Sequence, residues 1–152
     1  MASDSHSAQG QDAPRQQCAA LPCRVGEDGV RVMLVTSRGT GRWVLPKGWP
    51  KLDLSCAQTA AEEAYEEAGL KGPVDARPVG RYRYDKRLAD GGQVPCVVDV
   101  FPMCVAEVLD DWPERTQRQR RWCTFTEAAG LVEESDLTAL LLRMALPGAS
   151  PC

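Results

Sequence analysis

Histidine is almost missing from this chain, and the one present, His6, sits in MASDSHSAQGQDAPRQQ, a segment whose Ser, Gln, Asp and Pro content buries too little apolar surface to order itself. A Ser-His-Asp or Cys-His nucleophile, or a histidine-rich metal site, is therefore excluded from the folded part. Long hydrophobic runs are lacking as well: none approaches the roughly 18 residues of a membrane span, and no signal-like apolar region follows the N-terminus. A cytoplasmic chain with no membrane partner is the expectation. Excess charge of one sign is absent too. A formal charge of −3 offers no global attraction to nucleic acid, so no stable nucleic-acid partner is expected and anion binding must come from local clusters. The seven cysteines are an odd number with no C-x-x-C pair, which argues against a disulfide framework or a zinc knuckle and leaves them as reduced thiols.

What is present suits one domain: a polar tail over 1–16, a folded unit over 17–147 and a short C-terminal tail over 148–152. CAALPCRV and VRVMLVTSR read as strands around the turn GEDG, RWVLP as a third, VGRYRYDKR and VPCVVDVFPMCVAEV as a hairpin around LADGG, and RRWCTF as a last strand. Helix signals lie in SCAQTAAEEAYEEAG, TEAAGLV and SDLTALLLRMALPG; the last has Ser135 as its N-cap and an apolar stripe of Leu137, Leu140, Leu141 and Met144. Strands interleaved with helices point to an α/β or α+β sandwich.

The first helix carries Glu62, Glu63, Glu66 and Glu67 within one short stretch. At about 100° per residue, Ala57, Ala60, Ala61, Ala64 and Ala68 form a stripe of small side chains, which lets the helix pack closely. Glu63 and Glu67 border that stripe with Glu66 beside them, roughly 180° from the centre of the stripe, and Glu62 falls roughly 140° from it. Like charges at (i, i+4) cost roughly 0.2–0.5 kcal/mol per pair, and anions in the last turn oppose the helix dipole by a further ~0.3–1 kcal/mol each. Gly69 ends the helix as its C′ residue, so the charge sits at the unfavourable end. A divalent cation reverses the sign of these terms, and Mg²⁺ prefers carboxylates and water. Alone, such a face reads first as solvated surface, since glutamate is a good helix former. The preceding LPKGWPKLDLS, with Gly48 and two prolines after a strand, adds a constrained loop that brings backbone carbonyls toward the helix.

This strand, loop and glutamate ridge resemble the Nudix box of the Nudix hydrolases. Gly48, Glu63, Ala64, Glu66, Glu67, Gly69 and Leu70 fall in register, while Leu54 replaces the first Glu of the box and Glu62 replaces the Arg that usually braces a neighbouring glutamate. SRGTGRWVLPKG, EEAGLKG and VLDDWPERTQRQRRWCTF are similar to the diphosphoinositol polyphosphate and diadenosine polyphosphate phosphohydrolase branch, so the resemblance covers most of residues 17–146. It implies a Nudix fold, a mixed β-sheet sandwiched between helices. It also implies hydrolysis of a phosphoanhydride in a small-molecule polyphosphate. By the same resemblance Glu63, Glu67 and the Gly48 carbonyl hold Mg²⁺ or Mn²⁺, Glu66 is the base that activates water, and Arg38, Arg42, Lys47 and Arg120 face substrate phosphates. Solvated surface is the competing reading for Lys47 and for the basic run over 115–121. Trp112 and Trp122 read as packing residues before base-stacking ones. Two rival functions stay open: a Nudix hydrolase of nucleoside-diphosphate sugars or RNA 5′ ends, and a nucleotide-binding module without catalysis.

Overall fold

The computed structural model describes residues 13–152, so His6 and most of the expected N-terminal tail lie outside the described residues. In chain order the elements are β1 (Arg15–Gly26), β2 (Gly29–Thr36), β3 (Trp43–Val44), β4 (Lys47–Gly48), α1 (Cys56–Ala68), β5 (Leu70–Lys71), β6 (Gly80–Arg87), β7 (Gln93–Cys104), β8 (Glu107–Val108), β9 (Arg120–Cys123), α2 (Phe125–Leu131) and α3 (Ser135–Met144). β1 starts inside the segment expected to be tail, with Arg15 and Gln16 paired to Cys96 and Val97.

A mixed sheet with the order β3-β2-β1-β7-β6 forms the middle layer; β4 adds to β1 and β9 to β2, and β5 with β8 makes a separate ribbon. Among the described residues, only the β1–β7 pairing is parallel. Alternation of side chains along a strand explains the two cores. Ala19, Leu21 and Cys23 of β1 point to α2 and α3, where Phe125, Leu137, Leu140 and Leu141 wait. Cys18 and Ala20 point to the other face and pack with Ala57, Ala60, Ala64 and Ala68 of α1. Both faces of β1 are thus covered, which is why its sequence is a continuous apolar run and not an alternating one.

The ends of α1 are fixed by local chemistry. Ser55 caps it in a reciprocal box: the Gln58 amide donates to Ser55 Oγ at 3.1 Å and the Ser55 amide to Gln58 Oε1 at 2.8 Å. Gly69 takes φ 65° at the other end, and a Cβ there would fall 2.7 Å from the Trp112 ring. Only glycine meets both demands. The third helix starts one residue earlier than expected: Ser135 is its first residue and Glu134 holds the cap position without a side-chain bond. Its stripe of Leu137, Leu140, Leu141 and Met144 is buried as expected.

The expectation of reduced cysteines fails for one pair. Cys18 and Cys56 are disulfide-bonded with their Cα atoms 5.3 Å apart, while Cys23, Cys96, Cys104, Cys123 and Cys152 are free. The bond ties β1 to the first residue of α1. Spacing rules register only local cysteine pairs, and this one forms because Cys18 faces the start of a helix 38 residues further on. The expected C-terminal tail is not fully detached, since Cys152 lies against Cys23 and Met103. Among the described residues, no helix is long and apolar enough to cross a membrane.

Candidate active site

The four glutamates of α1 differ in how far they are buried. The side chains of Glu67 and Glu63 are 6% and 12% exposed, that of Glu66 35% and that of Glu62 54%. Glu63 and Glu67 therefore border the core and the other two face outward. Gly48 lies directly against the first of these: a Cβ on it would stand 2.5 Å from Glu63 Cδ, so the missing side chain makes room for the carboxylate. A cleft of about 560 Å³ opens there, lined by Gln17, Arg38, Lys47, Trp49, Lys51, Lys86, Glu114 and Arg118 as well as Gly48, Glu63 and Glu67. Glu66 is not part of that lining. Its two oxygens accept hydrogen bonds from Lys51 Nζ at 3.0 and 3.2 Å.

Burial, followed by the hydrogen bond and like charge of Glu63, pushes the Glu67 carboxyl up to about 9, against the opposing pull of Arg118 and Lys47. Glu67 therefore keeps its proton to a higher pH than an ordinary carboxyl. Burial lowers Lys47 to about 8, partly offset by Glu67 and Glu134. For Lys51 burial also works against the charge, but hydrogen bonds to Glu66 and Glu63 outweigh it and hold the ammonium above its ordinary range.

These shifts set a pH dependence. Glu67 in the folded chain binds its proton more tightly than at its ordinary 4.5, so its contribution to stability is full below about 4.5 and is lost as the pH rises toward about 9. Lys47 acts with the opposite sign, gaining stability only from about 8 to 10.5. In chelator, the melting temperature of the native chain should therefore fall relative to Glu67→Gln between about pH 5 and 8. Parallel curves for the two proteins would show that Glu67 is not the group that holds the proton.

The donor set suits a hard divalent cation: the Glu63 carboxylate lies against Gly48, and Glu67 is hydrogen-bonded to Glu63. The side chains as placed are not gathered around one point. Among the described residues, no three His, Cys, Asp or Glu side chains form a group that could hold a metal. Glu63 and Glu66 turn to Lys51, and Glu67 turns to Glu63 and to Arg118 at 3.6 Å.

The candidate phosphate contacts differ in how free they are. Arg38 lines the cleft and, among the described residues, donates only to Gln117, at 3.0 Å. Arg42 lies in an adjoining concavity of about 490 Å³, and its charge is paired with Glu134 at 3.3 Å and Glu133 at 3.8 Å. Lys47 and Lys86 line both spaces. Arg120 lines neither. It donates at 2.7 Å to the carbonyls of Ala68 and Leu109 and stacks on Trp112 at 3.8 Å. A cation from another element thus meets the C-terminal dipole of α1, which has no basic residue in its own last turn. Trp112 donates to the Glu67 carbonyl at 3.1 Å and Trp122 lies under Arg24, so both serve packing.

Sequence reasoning missed Lys51, Lys86, Trp49, Glu114 and Arg118. Arg118 belongs to a run that looks solvated, yet its side chain is only 9% exposed and it joins Glu67, Glu114 at 2.7 Å and the Thr36 carbonyl. The signal available for Lys51 was its place in the box loop, next to a ridge that lacks its usual arginine.

No family model matches the chain. Nudix hydrolase 12, mitochondrial, of Arabidopsis thaliana is 36% identical over 105 residues, 67% of this chain and 52% of that protein. The rat diphosphoinositol polyphosphate phosphohydrolase 2 is 30% identical over 118 residues, 76% of this chain and 62% of that protein. The chain belongs to the Nudix hydrolase superfamily. It spans between about half and two thirds of the length of these curated Nudix relatives. The Nudix architecture is seen again in the Ap4A hydrolase of C. elegans in a binary complex, with a TM-score of 0.62 over 84% of this chain and 93% of that one; at 15% identity this is a likeness of fold alone. The mixed sheet between helices is thus the α/β/α sandwich of the Nudix proteins.

Proposed function

We propose that the chain is a metal-dependent pyrophosphohydrolase that cleaves a phosphoanhydride of a polyphosphorylated small molecule, of the diadenosine polyphosphate or inositol pyrophosphate type. The observation that carries this reading is the juxtaposition of two near-buried carboxyls, Glu63 and Glu67, with the cationic side chains of Arg38, Lys47 and Lys86 around one cleft. Glu63, Glu67 and the Gly48 carbonyl would hold Mg²⁺ or Mn²⁺, which when bound neutralises phosphate charge and acidifies water. Glu66 would take the proton from the water whose oxygen attacks phosphorus, and the P–O bond of the anhydride breaks to leave two phosphate products. Arg38 and Lys47 would orient the phosphate chain, with Arg42 reaching it only by leaving Glu134. We assign Arg120 to supporting the end of α1, because substrate contact would require it to leave two carbonyls.

The reading without catalysis keeps one specific observation in its favour. Glu66 lies outside the cleft lining and is paired with Lys51. Phosphate release from diadenosine polyphosphates, inositol pyrophosphates and nucleotide sugars, each with Mg²⁺, Mn²⁺ and chelator, separates the readings; turnover of none of them would favour the binding module. A cytoplasmic location belongs to the same proposal, although several plant relatives carry mitochondrial or chloroplastic in their names.

The clamp residues make a further expectation. Arg38→Ala should raise KM for long phosphate chains more than for short ones, because a charge-assisted contact of roughly 1.5–3 kcal/mol is lost only where a distal phosphate exists to make it. Arg42→Ala should have the smaller effect, since its guanidinium is already paired. Equal KM changes for short and long chains would remove Arg38 from the clamp.

A further inference from the structure

Three of the four ridge carboxylates meet one ammonium. Lys51 Nζ stands 3.0 Å from Glu66, 3.2 Å from Glu63 and 3.4 Å from Glu62. Its position is not that of a loose surface lysine. The Lys51 amide donates to Oγ1 of Thr59, a fully buried residue of α1, at 3.2 Å, and its carbonyl accepts from the Leu54 amide at 3.2 Å. A tight turn thus pins the base of the side chain to the helix that bears the glutamates. The head is within reach of Glu63 Oε2, a carboxylate that also faces Gly48 and the cleft. α1 itself offers no counter-charge, having no basic residue in its last turn.

We propose that Lys51 is a built-in counter-cation of the ridge: it holds Glu63 and Glu66 together while no divalent ion is bound, and gives up Glu63 when one arrives. This rests on the reading of Glu63 and Glu67 as metal ligands. Two consequences follow from charge alone. Without a metal the ammonium relieves repulsion among Glu62, Glu63 and Glu66. With one, the ammonium repels the incoming dication and competes for the same oxygen, so metal affinity is set below what the carboxylates alone would give. Lys51 also lies in the wall of the cleft beside Trp49 and Pro50, so its release from Glu63 couples metal occupancy to the shape of the cleft rim.

The test uses the full chain and measures binding, not turnover. Lys51→Met, Lys51→Arg and the native protein are titrated with Mn²⁺ by calorimetry, and their melting temperatures are taken in chelator and in Mn²⁺. In chelator, Lys51→Met should melt lower than the native chain. It should nonetheless bind Mn²⁺ roughly tenfold more tightly, the size expected when a unit positive charge is removed from about 5 Å in a water-like dielectric. Its melting temperature should therefore rise more on adding Mn²⁺. Lys51→Arg should stay close to native in both respects. Native-like or weaker Mn²⁺ binding by Lys51→Met, beside a native chain that binds, overturns the proposal and leaves the metal reading standing. Failure of both proteins to bind Mn²⁺ overturns the metal reading and the proposal with it. Binding by Lys51→Met alone supports the proposal in its strongest form.

Discussion

Glu66→Gln is expected to lower kcat by roughly 10²–10⁴-fold, the usual contribution of a positioned general base. The substitution keeps the side chain's length and one oxygen for Lys51, but the amide cannot take the proton of the attacking water. Glu63→Gln and Glu67→Gln should behave differently, raising the Mg²⁺ or Mn²⁺ concentration needed for half-maximal rate, because an amide is a poorer ligand for a hard cation than a carboxylate. The measurement is kcat against metal concentration for the three variants. Near-native turnover in Glu66→Gln would remove it as the base. Glu114, a carboxylate in the cleft wall that is 21% exposed and paired to Arg118, would take its place as the candidate.

The second large effect concerns stability. Joining Cys18 to Cys56 closes a long stretch of chain, with a sequence separation of 38. In the chain-entropy account such a loop stabilises the folded state by roughly 4 kcal/mol, with engineered and natural cases often delivering less. At about 2–4 °C per kcal/mol for a chain of this size, Cys56→Ser should lower the melting temperature by roughly 8–15 °C, and reductant should do the same to the native protein. Cys56 is the better site for the change, since Cys18 is fully buried while Cys56 is only partly so. A native melting temperature unmoved by reductant, matched by Cys56→Ser, would mean that the thiols stay apart in solution. A lasting disulfide belongs to an oxidising compartment, so this cross-link and the cytoplasmic expectation pull in opposite directions. The same reductant titration shows whether the cross-link forms in solution.

The face of α1 was legible because its periodicity carries all the information needed. A stripe of alanines fixes which way the helix turns, and the angles of Glu67 and Glu63 place both at the border of the core, as observed; Glu66, opposite the stripe by angle, is less exposed than Glu62 because Lys51 covers its two oxygens. Only Ala61 strays, half-buried at the edge of the stripe. The strands were legible for a similar reason, since apolar runs bounded by Gly, Asp and Pro leave few other readings. What could not be read is whatever depends on partners distant in sequence. Within RTQRQRR every arginine looks alike, and it is the pairing of Arg120 with Val35 and Arg121 with Leu34 that decides which guanidinium turns inward. Arg120 then falls at the end of α1 and Arg118 beside Glu67, the reverse of what a solvated run suggests. Lys51 is a loop residue with no periodicity to place it. Cys18 and Cys56 stand in different elements, with nothing in either local context to mark the other.

The position of Cys18 also makes a ring of the box loop. Its backbone is the sheet partner of Gly48 and its sulfur is bonded to Cys56, so the segment between those two residues leaves β1 and returns to the same residue of it. Leu52, at the tip, is 90% exposed, and the peptide bond before it is a trypsin site. A cut there divides the polypeptide in two without parting the halves: one fragment keeps Cys18, the other Cys56, and they migrate together on a gel until a reductant is added. Proteolytic clipping at the mouth of the cleft is therefore invisible by mass or by electrophoresis under oxidising conditions, apart from one added water.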